Sequence, residues 1–344
     1  MPINAEGAVM DDGSRLVAAG LPADLISEVN RIAASLPAHT SCVATGSLVE
    51  GFGNDQSDID LYVIHDEDVP PTGTAIGLRG SRYVDCESMT ARGLSRTAEL
   101  LADPSPDAVH ALRVSDLDRY YRVAVSLPVT VTERGEEVLS RFDKSVACRR
   151  FATWSRLRAI EHLARASWSQ AWGEGRKARI LARDTAMWRA TARLAAEGEG
   201  YVSPKWFGEK AARRYGRGSA AFRDLVDGCL RPAPVDQALP ALRAELAVSS
   251  EDLRLLAGEA EAAPGVRVVP ADGSVHLIQG KRHFAQVSGP LTAVLRHLVE
   301  SGTWSAAVER SADQLGISPS DVAVAAWYTS ASLRRDGFLR EVER

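Results

Sequence analysis

The sequence has no apolar run long enough to cross a membrane and contains few cysteines. None of its hydrophobic segments approaches the ~18 residues that a membrane-spanning helix needs. The first residues include neither a basic nor an apolar segment of the kind that directs secretion, so we expect a cytoplasmic protein with no membrane partner. The four cysteines (Cys42, Cys86, Cys148 and Cys229) form no Cys-x-x-Cys pair, which favours isolated thiols over a disulfide framework or a zinc site.

The chain also lacks internal repeats, low-complexity tracts and a large excess of either charge. In 344 residues, 41 Lys and Arg stand against 45 Asp and Glu, for a net charge of −4. This balance conceals a basic segment, because residues 144–216 hold 16 Lys and Arg but only 6 Asp and Glu. A basic segment beside acidic ones suggests an anionic ligand held over metal-binding carboxylates.

Hydrophobic periodicity divides the chain into three predicted domains, in keeping with its length. Residues 1–143 interleave strands and helices, which indicates an α+β domain with a small sheet. Its predicted strands are 40–46, 58–65 and 82–88, and its predicted helices are 22–36, 91–103 and 115–127. Residues 144–262 show helical periodicity broken at Pro and Gly, which predicts a basic helical bundle. Residues 263–344 begin with a hairpin pattern and continue with three helices and a last strand, an order typical of a winged helix.

The stretch "VATGSLVEGFGNDQSDIDLYVI" (43–64) places two acidic residues in an apolar strand. Alternation puts Asp58 and Asp60 on one face, although like charges repel and strands disfavour Asp. A cation between the two carboxylates, or a strand end open to water, would resolve this conflict. A solvated surface strand is the alternative for an isolated pair of this kind.

This pair has neighbours that carry a resemblance to a known family. Gly46-Ser47 precedes it, Ser57 adjoins it, and a third acidic strand, "YVDCES", follows. Together "GS", "SDIDLYVI" and "VDCE" resemble the nucleotidyltransferase superfamily, typified by DNA polymerase β and the aminoglycoside nucleotidyltransferases. The resemblance implies a small mixed sheet and Mg²⁺-dependent transfer of a nucleoside monophosphate, with ATP as the expected donor, to a hydroxyl group with release of pyrophosphate.

The resemblance also implies a role for each residue of the motif. Gly46, Ser47 and Ser57 would line the triphosphate, while Asp58 and Asp60 would bind two Mg²⁺ ions. Such ions lie ~3.5–4 Å apart and clamp the attacking and leaving oxygens of phosphoryl transfer. Carboxylate oxygens are the hard ligands that Mg²⁺ prefers.

A third carboxylate is expected from "YVDCES", where Asp85 and Glu87 face the same side of the strand. The family pattern favours Asp85 as the third metal ligand. Glu87 is then a candidate general base for the acceptor hydroxyl, and a solvated strand end is its alternative role. Glu50 departs from the family pattern, and because a carboxylate near a triphosphate is unfavourable, we expect it to point away.

The basic helical segment contains five of the seven tryptophans. Trp154 and Arg158 share a helix face, which is consistent with core aromatics flanked by snorkelling arginines. The alternative is a bundle that closes over the nucleotide, as in aminoglycoside and lincosamide nucleotidyltransferases. The segment "YVSPKWFGEKAARR" (201–214) resembles a helix of such proteins, and by that resemblance Lys205 contacts the triphosphate with Trp206 packed beside it.

The C-terminal segment has little charge excess for binding DNA, since residues 281–344 hold 8 Lys and Arg and 7 Asp and Glu. Its pattern of helices and the closing "GFL" resembles the peptide-recognition winged helix of PqqD-type proteins. That resemblance implies a module that binds a leader peptide as an added strand. A structural or dimerising winged helix is the alternative.

The sequence therefore predicts a nucleotidyltransferase that holds its acceptor, a small hydroxylated molecule or a peptide, between the first two domains. The rival hypothesis is a nucleic-acid-associated protein, either a tRNA-directed nucleotidyltransferase or a DNA-binding regulator with an inert first domain. Nucleic acid is not the expected partner.

Overall fold

The computed structural model describes residues 23–54, 56–67, 74–79, 82–231, 233–280 and 283–342. The strands in these ranges are Thr40–Thr45 (β1), Ile59–His65 (β2), Thr74–Arg79 (β3), Arg82–Thr90 (β4), Leu127–Thr130 (β5), Ala260–Ala262 (β6), Val266–Ala271 (β7), Ser274–Gln279 (β8), His283–Ser288 (β9) and Leu339–Glu341 (β10). The first helices are Ala23–Ala34 (α1), Gly46–Val49 (α2), Ala91–Leu100 (α3), Pro106–Ala111 (α4), Val114–Ala124 (α5), Glu133–Leu139 (α6), Lys144–Ala171 (α7) and Gly175–Ala196 (α8). The later ones are Phe207–Tyr215 (α9), Ala220–Leu230 (α10), Val235–Glu245 (α11), Ser250–Leu256 (α12), Leu291–Ser301 (α13), Trp304–Leu315 (α14), Pro319–Thr329 (α15) and Ala331–Arg335 (α16), with a 3₁₀ turn at Pro204–Trp206. No helix within these ranges combines the length and the apolarity needed to cross a membrane.

Contacts group the described residues into two compact units. The first comprises the chain up to Phe151 together with Leu194–Lys210, and the second comprises Ala152–Arg193 together with Ala211–Arg344. The divisions fall inside α7, α8 and α9, so they do not coincide with the sequence boundaries near residues 143 and 262. The three predicted domains stay a prediction.

The first unit contains a five-stranded mixed sheet in the order β3-β4-β2-β1-β5. Only β2 and β4 are parallel among these neighbouring pairs, and the other three pairs are antiparallel. Sequence analysis predicted β1, β2 and β4 and the helices α1, α3 and α5, and the structure confirms an α+β arrangement with a small mixed sheet. The edge strands β3 and β5 were not predicted, because each contains a residue that is unfavourable in a strand, Gly77 in β3 and Pro128 in β5.

The two faces of this sheet are buried by different helices. Ile59 and Leu61 of β2 pack with α1 on one face. Tyr62 and Ile64 of β2 pack on the other face with residues of α3 and α5, among them Val123. Because side chains alternate along a strand, Asp60 belongs to the face that α5 covers. This assignment determines which helix supplies its partners.

The second unit combines helices with a three-stranded antiparallel sheet in the order β7-β8-β9 and a short pairing of β10 with β6. The predicted hairpin is confirmed, since Ala271 pairs with Ser274 across a two-residue loop. Three helices, α13, α14 and α15, follow the sheet and bury a core that includes Leu295 and Trp304. The predicted elements occur in the predicted order, but the structure adds a third strand, β9, and a fourth helix, α16. The winged-helix assignment itself stays a prediction.

Candidate active site

The acidic pair lies at the start of β2, next to the strand that carries the third carboxylate. Asp58 directly precedes the strand and Asp60 is its second residue. In the parallel pairing of β2 with β4, Asp60 is the register partner of Asp85. Residues in register on neighbouring strands point to the same face, so the two carboxylates lie on the face covered by α5.

A glycine corner adjoins Asp60 from the other side. Thr45, the last residue of β1, pairs with Asp60, and Gly46 follows with a φ of +81°. A methyl group at Gly46 would overlap the Oδ2 atom of Asp60, so only glycine fits both the backbone conformation and the space. Ser47 is buried beside this corner. The hydroxyl of Thr45 donates to the carbonyl of Arg122 over 2.8 Å and so links the corner to α5.

These elements enclose a cavity of about 560 Å³ in the first unit. Its lining residues are Ser47, Asn54, Gln56, Ser57, Asp58, Asp60, Arg122, Tyr201, Ser203, Lys205 and Trp206. Carboxylates, cations, hydroxyls and an indole thus meet in one space, although they come from distant parts of the sequence.

Five of the eight site residues named from the sequence line this cavity: Ser47, Ser57, Asp58, Asp60 and Lys205. Gly46 flanks it through its contact with Asp60. Asp85 and Glu87 are not among the lining residues. Asp85 lies beside Asp60, and its Oδ1 is buried with no hydrogen-bond partner among the described residues.

Glu87 and Glu50 each have a cationic partner. Arg119 donates to Glu87 Oε1 over 3.0 Å. Glu50 is buried, accepts from the hydroxyl of Tyr121 over 3.0 Å and lies 3.6 Å from Lys144 Nζ. Glu50 therefore points away from the cavity, as we expected from the repulsion that a triphosphate would exert.

No sequence pattern indicated Arg122, a cation that lies beside Asp60. Its Nη1 donates to Asp60 Oδ1 over 3.3 Å, and its Nε lies 3.2 Å from Asp118 Oδ2. Asp118 and Arg122 are four residues apart on α5, a spacing that sequence alone assigns to an ordinary surface ion pair. Only the packing of α5 on the sheet brings Arg122 to the cavity.

Burial and charge together set the protonation of this cluster. Burial raises the pKa of Asp60 above its ordinary value; the charges of Asp85 and Asp58 raise it further, while Arg122 opposes the shift. Burial likewise raises the pKa of Asp118. Although burial lowers it, the pKa of Arg122 lies above its ordinary value because Asp118 and Asp60 stabilise the positive charge. The guanidinium therefore stays charged beside carboxylates that are costly to ionise.

A second set of contacts fixes the segment that carries Lys205. Trp206 stacks on Phe52, with ring centroids 5.8 Å apart and an interplanar angle of 17°. The ammonium of Lys205 lies 5.1 Å from the Trp206 ring. The fully buried Lys210 donates to the carbonyl of Tyr201 over 2.7 Å. These contacts support the sequence interpretation that Trp206 packs beside Lys205.

The arginines and tryptophans of the long helices form local contacts within the second unit. Arg158 and Arg165 both donate to Glu161, over 2.8 and 3.0 Å. Arg158 also lies 5.0 Å from the Trp154 ring, and Trp154 is buried. For these residues the structure supports core aromatics with flanking ion pairs.

Oxygen donors for a cation are present, but no closed metal cage is. Among the described residues, no three His, Cys, Asp or Glu side chains are grouped closely enough to hold a metal ion on their own. Mg²⁺ bound with a phosphate substrate usually takes only one or two carboxylates, and the phosphates and water complete its shell. Asp58 and Asp60 supply such a pair. Asp85 is the register partner of Asp60, and its buried Oδ1 has no hydrogen-bond partner among the described residues. The donor set fits a cation that arrives with a phosphate ligand.

Comparisons with known proteins add little. No family model matches the chain, and no curated protein is significantly similar to it. Among solved structures, it is similar to a nucleotidyltransferase-like protein from Exiguobacterium sibiricum 255-15, with 15% sequence identity and a TM-score of 0.31. The likeness covers 71% of this chain and 77% of that one. A TM-score this low does not establish a shared fold.

Proposed function

We propose that the protein transfers a nucleoside monophosphate from a nucleoside triphosphate to a hydroxyl group, with Mg²⁺ as its cofactor. One observation carries the proposal: a single cavity joins a pair of carboxylates to a glycine-serine corner and two cationic side chains. Phosphoryl transfer requires mainly positioning and neutralisation of charge, and these are the groups that perform both tasks.

The residues divide into a cation-binding part and a phosphate-binding part. Asp58 and Asp60 would hold Mg²⁺ together with the triphosphate, and Asp85 would support Asp60 or supply a third oxygen. When bound, the metal neutralises the charge that develops on the phosphate oxygens. Ser47 and Lys205, which are far apart in the sequence but line the same cavity, would donate to the phosphates. Gly46 allows the backbone to approach a phosphate closely.

The donor and the acceptor are narrower proposals that rest on the sequence resemblance. ATP is the proposed donor. The acceptor is a hydroxyl of a small molecule, or of a peptide that the C-terminal elements would bind. Glu87 is the proposed general base, and Arg119 would hold its carboxylate through Oε1.

The proposal is tested by incubating the protein with each nucleoside triphosphate, Mg²⁺ and a library of hydroxylated metabolites and peptides. Mass spectrometry should detect one compound that gains a nucleotide, and a coupled assay should detect pyrophosphate. We expect Asp58→Asn and Asp60→Asn each to lower the rate by at least about 100-fold, because each removes a charged cation ligand.

Asp224→Asn, on an exposed helix position, is the matched control and should leave the rate unchanged. Full transfer activity in both Asp58→Asn and Asp60→Asn would contradict the proposal. So would the absence of nucleotide transfer together with the absence of triphosphate binding.

A further inference from the structure

Arg122 is a cation that lines the cavity and contacts one of the carboxylates proposed to bind the metal. It is bonded to Asp60, one of the two carboxylates to which the proposed function assigns the metal. Its side chain retains 22% exposure and lines the cavity, so it is accessible to a ligand there. Its other ion pair is with Asp118, a residue of its own helix, and leaves 3.2 Å between Arg122 Nε and Asp118 Oδ2.

The contact between Arg122 and Asp60 has a chemical consequence for cation binding. A guanidinium nitrogen 3.3 Å from Asp60 Oδ1 occupies one of the two oxygens through which Asp60 could bind a divalent cation. Arg122 and the cation also repel each other, since both are positive. The two therefore compete for Asp60. A guanidinium released from a carboxylate is in turn well suited to a phosphate, because its planar N–H groups match the phosphate oxygens.

We propose that Arg122 is a guanidinium clamp that exchanges partners: it binds Asp60 in competition with the divalent cation and binds the phosphates of the triphosphate when the cation takes Asp60. Asp118 keeps the guanidinium at the cavity throughout the exchange. This inference rests on the proposed function and adds to it a means of coupling. The cation alone binds weakly, whereas cation and nucleotide together bind cooperatively, because each removes the obstacle to the other.

The exchange predicts effects of opposite sign for Arg122→Gln. Without the competing guanidinium, Mn²⁺ should bind about threefold to tenfold more tightly in the absence of nucleotide. At saturating Mg²⁺, a non-hydrolysable ATP analogue should bind about tenfold more weakly or worse, because the charge-assisted contact from the released guanidinium is lost. Electron paramagnetic resonance measures free Mn²⁺, and calorimetry measures binding of the analogue. Circular dichroism verifies that each variant is folded.

A second variant, Asp118→Asn, should change Mn²⁺ affinity in the opposite direction to Arg122→Gln. Released from Asp118, the guanidinium should pair more closely with Asp60, so Mn²⁺ should bind more weakly than in the unmodified protein. General damage to the fold would weaken Mn²⁺ binding in both variants, whereas the clamp predicts a gain in one and a loss in the other. Arg96→Gln, at an exposed position of α3, is the control and should change neither measurement.

The outcomes separate this inference from the proposed function. Nucleotide transfer by the unmodified protein, together with unchanged or weakened Mn²⁺ binding in Arg122→Gln, overturns the clamp alone. Failure of the unmodified protein to bind Mn²⁺ and the nucleotide analogue overturns both. Tighter Mn²⁺ binding with weaker analogue binding in Arg122→Gln, and weaker Mn²⁺ binding in Asp118→Asn, supports the clamp.

Discussion

At the scale of single residues, Gly46 and Asp60 restrict each other. Gly46 adopts a left-handed backbone conformation immediately after the residue that pairs with Asp60, and its missing side chain leaves the space that the carboxylate fills. The conformation and the space are separate requirements. Gly51, a few residues away, shares the first requirement but not the second, since its φ is +73° and no atom lies near the position of a Cβ.

The two glycines allow the two requirements to be measured separately. Gly51→Ala should destabilise the protein by about 1–3 kcal/mol through backbone strain alone and should leave triphosphate affinity unchanged. Gly46→Ala should add the displacement of Asp60 and lower triphosphate affinity at least about tenfold. Denaturant unfolding and calorimetric titration measure the two effects. Equal triphosphate affinity in the two variants would contradict the role assigned to Gly46.

Asp60 should make stability depend on pH. Its pKa is raised by burial, so between the ordinary value of 3.8 and the raised value the folded protein binds more protons than the unfolded chain. Stability from this group is therefore present below pH 4 and is lost as the pH rises through the raised pKa. Asp60→Asn removes the disfavoured charge, so it should raise the free energy of unfolding at pH 7 even though it removes a ligand of the proposed cation site.

The measurement is a series of denaturant titrations of Asp60→Asn and the unmodified protein between pH 3.5 and pH 7. The stability gained by the substitution should shrink towards the acid end of this range. Asp224→Asn, which lies on an exposed face of α10, should show no such trend. A gain that grows as the pH falls would contradict the assignment.

At the scale of elements, the segment 201–206 brings side chains to the cavity that β2 and its loop do not supply. Its carbonyl at Tyr201 is tied to the buried Lys210, and its indole at Trp206 is stacked on Phe52. Lys205 lies between these anchors and is itself exposed. The anchoring lysine, Lys210, therefore lies outside the segment, whereas Lys205 within the segment lines the cavity.

This division predicts different outcomes for the two lysines. Lys210→Met should lower the free energy of unfolding by about 1–3 kcal/mol, because a buried carbonyl loses its charged donor. Lys205→Met should change stability by less than about 0.5 kcal/mol but lower triphosphate affinity about tenfold. Thermal unfolding and calorimetric titration distinguish the two effects. A larger loss of stability in Lys205→Met than in Lys210→Met would contradict the different roles assigned to the two lysines.

At the scale of the whole molecule, the charge distribution bears on the choice between a nucleotide and a nucleic acid as ligand. The chain carries a net charge of −4. Some arginines of its basic segment are neutralised by ion pairs within the protein, as in the pairs of Arg156 with Asp252 and of Arg158 with Glu161. Paired arginines release few counterions from a phosphate backbone. The cavity cations, by contrast, suit a single triphosphate.

We therefore expect no binding of short duplex DNA or of tRNA at physiological salt (~0.15 M), as measured by fluorescence anisotropy. Any weak binding at low salt should be independent of Asp58 and Asp60. Tight binding with a steep dependence on salt would instead favour the nucleic-acid-associated alternative.

The sequence by itself determined the acidic pair, the glycine-serine corner and the strands and helices that carry them. These features follow from local physics: side chains alternate along a strand, glycine permits the left-handed turn, and apolar periodicity marks a buried face. The edge strand β3 was not predicted because it contains Gly77, a residue that is unfavourable in a strand, and its Ile76 is exposed rather than buried.

Only the tertiary structure decided which side chains complete the site. Arg122 reaches Asp60 across 62 residues of sequence, and its position depends on how α5 packs on the sheet. The same packing turned Glu50 towards Tyr121 and paired Glu87 with Arg119. Such contacts join residues that no local pattern relates, so the charge balance of the cavity is a property of the folded chain.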